Sequence, residues 1–274
     1  MKRSNDGSGG RERAALALAS VGLLALGLAV ASWAEIAKSG SQQLPYTTDF
    51  RLGDCAWEND DTADGLGNPY FPLVPGHFLR LEGEEKKGEE LRVEITVCED
   101  ACGGGAYGVA GDGTKVVDGV TTRVLREQEW EDGELAEVSF NYFARCTRNG
   151  GVFYFGEDVD DYDDGEISGH GGAWHAGVDG ALPGLIMPGN FLVGSRYYQE
   201  IAPGVALDRG DNTADNLALD LEAFDPGPPF EDCVSVLESS GLSASDSSYK
   251  AYCPTLGLVI DDSIELVDYF LPGP

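Results

Sequence analysis

An all-β fold, built as an antiparallel meander curling into a strongly curved sheet or a half or closed barrel, follows from three observations on this 274-residue chain. Leu91, Val93, Ile95 and Val97 alternate with Arg92, Glu94 and Thr96, the period-two signature of a strand with one buried face. Asp118-Gly119, Asp132-Gly133, Asn149-Gly150 and Asp164-Gly165 recur roughly fifteen residues apart, and such dipeptides suit tight hairpins because both central positions take positive φ. The 38 glycines favour many turns, and no convincing helical periodicity appears beyond the N-terminus.

The N-terminus is the exception. Lys2, Arg3, Arg11 and Arg13 precede an uncharged apolar run over residues 14–34 that ends in Ser32-Trp33-Ala34. This reads as an export signal with a small-residue cleavage site, and the run is also long enough to stay in a bilayer as an apolar helix. Basic residues before it and an acidic chain after it place the bulk of the protein outside in either case. Residues 1–34 are therefore a signal peptide or membrane anchor, 35–66 a polar linker with an irregular entry segment and 67–274 a single β domain.

Three prolines in Asn68-Pro-Tyr-Phe-Pro-Leu-Val-Pro-Gly76 forbid a helix interior and favour an extended entry into a strand over residues 77–81. The four turn dipeptides then divide residues 91–174 into a five-strand meander. Val152, Phe153, Tyr154 and Phe155 form a continuous apolar run, expected to be buried on both faces, whereas the charged stretch 126–129 marks a wet side. Residues 176–190, rich in Gly and Pro yet apolar, read as an irregular loop packed over the sheet. Further strands are expected at 195–201, 217–223, 233–238, 248–253, 256–260 and 264–270.

A net charge of −30 repels nucleic acid and anionic lipid, so nucleic acid is excluded as a partner and membrane contact falls to the N-terminal segment alone. The six cysteines all follow the apolar run, and an even number in an exported chain points to disulfides. Cys98-x-x-x-Cys102 lacks the second pair of ligands that zinc requires. A turn centred near Ser243 would bring Cys233 opposite Cys253, close enough to bridge. The remaining four cysteines allow three pairings, with Cys98 or Cys146 in a cross-strand bridge.

Asn68-Pro-Tyr-Phe-Pro-Leu-x-Pro-Gly76, Tyr154-Phe-Gly-Glu-Asp158, Trp174-x-Ala-Gly-Val-Asp-Gly-Ala-x-Pro-Gly184 with Met187-Pro188, and Tyr252-x-Pro-x-x-Gly-Leu-Val259 together resemble a family of uncharacterised bacterial secreted and envelope proteins. The resemblance spans residues 68–270 and implies an envelope or extracellular β-protein with no established activity. The cysteines and the Gly-rich stretch 102–113 are additions to that pattern. By architectural analogy alone, the meander is similar to the half-barrel of lipoprotein carriers, where one sheet wraps an apolar cavity.

Few residues point to chemistry, and no catalytic residue is assigned. Asp158, Asp160, Asp161 and Asp163 offer oxygen ligands, so calcium is the one cofactor the composition allows. As an EF-hand the run fails, with Tyr162 at a ligand position and Gly171 where the closing Glu belongs. Calcium would make the protein a calcium-dependent surface module. His175, with Asp179 as orienting carboxylate, supplies a hydrolase alternative, but no Gly-x-Ser-x-Gly elbow accompanies it. Trp174, Leu182, Leu185, Ile186 and Met187 are candidates to line a cavity beneath the Gly/Pro loop, with Trp174, Leu185 and Met187 put forward as ligand-binding residues. The leading expectation is thus an exported binding or structural module at the cell surface or in the extracellular space, whose partner is an envelope protein or a small apolar ligand.

Overall fold

The computed structural model describes residues 45–62, 67–84, 88–243 and 245–273; the expected signal or anchor at 1–34 lies outside the described residues. In chain order the strands are β1 (Trp57–Glu58), β2 (Phe78–Glu84), β3 (Glu90–Val97), β4 (Thr114–Val117), β5 (Val120–Glu131), β6 (Glu134–Cys146), β7 (Val152–Asp163), β8 (Glu166–Gly169) and β9 (Trp174–His175). They continue as β10 (Leu182–Met187), β11 (Arg196–Tyr198), β12 (Glu200–Ile201), β13 (Asp208–Leu219), β14 (Phe230–Ser240), β15 (Ser247–Cys253), β16 (Gly257–Asp261) and β17 (Ile264–Phe270). Helical structure among the described residues is limited to three short 3-10 turns, and no described helix is long and apolar enough to cross a membrane.

One antiparallel ladder runs from β2 through β3, β5, β6 and β7 to β10. Another runs from β2 through β17, β16, β15 and β14 to β13. The two meet again where β10 pairs with β12 and the Gln199 N–H donates to the Asp208 carbonyl at 2.7 Å. The sheet is thereby nearly closed into a barrel.

The hairpin signals act as their chemistry requires. Asp118-Gly119, Asp132-Gly133 and Asp164-Gly165 all hold positive φ at both residues and join consecutive strands tightly. The Asn149-Gly150 connection differs: only Gly150 is left-handed, and a longer loop joins β6 to β7. Residues 152–155 are buried throughout. Tyr154 faces the interior, while Phe153 and Phe155 lie on the outer face beneath Trp57, with ring centroids 5.5 and 5.1 Å away.

That outer cover corrects the expected linker. Residues 45–62 belong to the β unit: Trp57 pairs with Cys146, Cys55 is bonded to Cys146, and Phe50 packs on Phe153. Behind them sits a buried ion pair, with the Arg145 Nε donating to Asp61 at 2.8 Å while the other Asp61 oxygen accepts the Leu73 N–H at 2.8 Å. The proline-rich entry segment is pinned by the same device and by buried Asn68, whose amide donates to the Gly150 and Pro188 carbonyls at 3.0 and 3.1 Å.

Three further expectations are corrected. Residues 176–190 are not wholly irregular, because they contain β10. The expected strand at 195–201 divides into β11 and β12, which pair with β13 and β10 respectively. The one expected at 217–223 begins instead at Asp208, since β13 pairs with β14 through three register shifts that blur its alternation.

The other cysteines pair as Cys98 with Cys102 and Cys233 with Cys253. Val234 faces Tyr252 and Ser235 faces Ala251, the register that sets Cys233 against Cys253. In the chain-entropy account, the separation of 91 between Cys55 and Cys146 stabilises by about 4.6 kcal/mol, against about 2 kcal/mol for the separation of 4 between Cys98 and Cys102. Urea titrations of paired Cys→Ser variants should rank the losses in that order. Removing one partner of a buried ion pair typically costs about 3–5 kcal/mol, so Asp61→Ala should lower the unfolding free energy by that amount in the same titrations.

Candidate functional site

Alternation along the barrel strands sends one set of side chains inward, where they surround a cavity of about 230 Å³. Neighbouring strands put these residues in register: Leu79 faces Ile95, Ile95 faces Glu127, Val97 faces Leu125, and Leu125 faces Asn141. Phe71 and Pro72 of the entry segment, Phe143, Ile186, Leu256 and Leu258 complete an apolar wall. The polar part is formed by Glu127, Gln199, Glu200, Asp208, Glu238 and Lys250.

Its electrostatics are one-sided. Lys250 is the lining cation, and its ammonium is already held by Glu238 at 3.3 Å and Asp261 at 2.9 Å. Burial opposes that charge, but the two carboxylates overrule it and raise the lysine pKa further. Glu127, by contrast, is pushed up to about 7, first by burial and then, against the pull of Lys250, by Asp261, Glu129 and Glu137. Glu200 is raised well above the carboxylate range by burial, Glu157 and Asp208. Glu137 and Glu157 rise to about 7 and about 8, again chiefly through burial.

Two buried polar atoms of the wall have no partner. Gln199, 2% exposed, stands where the chain changes from β11 to β12; its amide nitrogen donates to Glu238 at 2.5 Å, leaving Oε1 unpaired. His77, 4% exposed, leaves Nε2 unpaired, an acceptor when the ring carries its proton on Nδ1. Burial lowers its pKa to about 4, so the ring is neutral at pH 7. An unmatched buried acceptor costs about 1–3 kcal/mol, which marks these two atoms as places for a ligand donor.

The sequence candidates fare unevenly. Of the β10 candidates Ile186 lines the cavity, whereas Leu185 packs beside Phe153 strand-to-strand and Met187 is fully buried in the core. Trp174 lines a separate cleft with Asp158, His175, Val178 and Asp179. There His175 Nε2 bonds Asp158 at 3.2 Å, and Lys115 Nζ lies 2.5 Å from the same carboxylate, which also accepts from Tyr142. The carboxylate beside His175 is thus Asp158, where Asp179 was expected. No serine, threonine or cysteine is among the described residues that line this cleft.

The acidic run is also divided by strand parity. Asp158 joins His175 and Lys115, Asp160 binds Tyr107 and lies 3.1 Å from His170, and Asp161 accepts the Gly171 N–H at 2.7 Å. Asp163, at the exposed end of β7, joins none of them. Among the described residues no group of three or more His, Cys, Asp or Glu side chains is gathered to hold a metal ion.

Sequence reasoning missed Glu127, Gln199, Glu200, Glu238 and Lys250. The signal was present for one of them: Glu127 shares the parity of Leu125, which corrects the reading of 126–129 as simply a wet side. No family model, curated protein or solved structure matches the chain.

The raised carboxyls give the barrel a pH signature. A carboxyl whose folded pKa exceeds its unfolded value keeps a proton on folding between the two values, so stability falls as pH rises through that window. His77 acts in the opposite sense, but only below its ordinary value of 6.5. From about pH 6.5 to about pH 8.5 the melting temperature should therefore fall, and Glu157→Gln should flatten the slope. Thermal melts across that range check both, and a wild-type midpoint that climbs would contradict the assignment.

Proposed function

We propose that this is an exported β-protein that holds a small, largely apolar ligand inside its barrel, at the cell surface or in the extracellular space. The observation that carries the reading is the cavity of about 230 Å³, walled by aliphatic and aromatic side chains and containing two unpaired buried acceptors. Pockets of this composition, mostly apolar with a few placed polar groups, are the usual form of small-molecule sites. Three cysteine pairs at bonding distance support an oxidising compartment, in keeping with the export signal expected at residues 1–34. The segments quoted for the family resemblance also converge here, through Phe71 and Pro72, Tyr154, and Tyr252, Gly257 and Leu258.

Calorimetric titration with 1-octanol tests the reading. Saturable binding at one site per chain is expected, together with a raised melting temperature. Ile186→Phe places a ring in the cavity and should weaken that binding by about tenfold or more, at an overpacking cost of about 1–3 kcal/mol. Failure of 1-octanol, octylamine and octanoate alike to bind would overturn the proposal.

A further inference from the structure

We infer that the ligand carries a cationic head, a protonated amine or guanidinium, which docks among Gln199, His77, Glu127 and Glu200 while its apolar tail lies against Phe71, Leu125 and Ile186. This rests on the interior cavity being a ligand site and adds the chemistry of what enters it.

The argument is a census of donors and acceptors. Every donor for which the lining shows a bond is committed within the protein: Lys250 to Glu238 and Asp261, the Gln199 amide to Glu238, and Tyr154 to Asn141. The Asn141 amide likewise donates to Ser139 at 2.9 Å. The two unpaired buried atoms of the wall are Gln199 Oε1, an acceptor, and His77 Nε2, which accepts in the Nδ1–H tautomer of the neutral ring. The Tyr252 hydroxyl can accept as well as donate.

Charge points the same way. Four carboxyl side chains line the cavity against one ammonium, and that ammonium already bridges Glu238 to Asp261. No ion pair holds Glu127 or Glu200 among the described residues; burial above all raises both pKa values, and Lys250, committed to Glu238 and Asp261, only partly offsets this at Glu127. An ammonium docked in this part of the lining would favour the ionised form of a neighbouring carboxyl and bring N–H donors to a wall that has unpaired acceptors. A metal ion is the weaker occupant, because no three ligand side chains are gathered among the described residues and half of the wall is apolar. An anionic amphiphile would meet four carboxyl side chains and, for a cation, a lysine already held by Glu238 and Asp261.

The test uses octylamine, 1-octanol and octanoate at pH 7.5, which share a chain length and differ in head charge. With the full-length wild-type protein, octylamine should bind more tightly than 1-octanol by about tenfold or more, with octanoate weakest. Glu127→Gln and Glu200→Gln, each close in shape to the native side chain, should remove most of that preference, read as the ratio of octylamine to 1-octanol affinity on the same variant. Equal affinities for octylamine and 1-octanol would overturn the cationic-head inference and leave the cavity reading standing. A preference for octanoate would also overturn it. Absence of binding by all three would remove both.

Discussion

Closure of the sheet turns on β10, which lies between β7 and β12 and leaves neither as an open edge. That position is accessible only to a backbone without a side chain at one point. A Cβ on Gly184 would sit 2.1 Å from the Gln199 carbonyl oxygen, far inside van der Waals contact. Gly156 on the neighbouring strand is under the same constraint, since its Cβ would lie 2.1 Å from the Trp174 carbonyl. The cavity depends on this seam. It places Ile186 in the wall, and it turns Gln199 inward where the chain changes partner.

What the sequence made legible was the local part of this architecture. Tight Asp-Gly turns, the alternation of residues 91–97 and the facing of Cys233 and Cys253 are all set by neighbours in the chain, and each has a residue pattern that records it. The seam has no such pattern. Gly184 and Pro183 look like loop residues because their role is defined by strands remote in sequence, and the register shifts of β13 hide its alternation in the same way. The cavity was harder still. Glu127 and Lys250 carry charges that, read locally, belong to a solvated face; only closure of the barrel turns that face inward. Leu185 and Met187 illustrate the sensitivity, since one step along β10 separates the core from the cavity wall.

Cations are scarce in this chain, 18 against 48 acidic residues, and several serve as internal staples. Arg145 ties Asp61 to β6, while Arg123 gathers the Asn59, Cys98 and Asp112 carbonyls at 2.8, 3.0 and 2.5 Å. Lys250 joins β14 to β16 across the strand between them. Each buried cation thus holds together segments that the sheet alone would not fix. With cations so few, burial raises the pKa of Glu127, Glu157 and Glu200 with little to oppose it.

The pairing of β2 with β17 joins the first long strand of the sheet to the last, with Ile264 facing Gly83 and Phe270 facing Phe78. Hairpins such as β5–β6 and β14–β15 can form as soon as their residues emerge, whereas this ladder waits for nearly the whole chain. Until it forms, β2 is an unpaired edge beside an open apolar concavity, the kind of surface that recruits other chains. The topology therefore sets hairpins built from neighbouring residues against one seal of high sequence separation, on which the near-closure of the sheet depends.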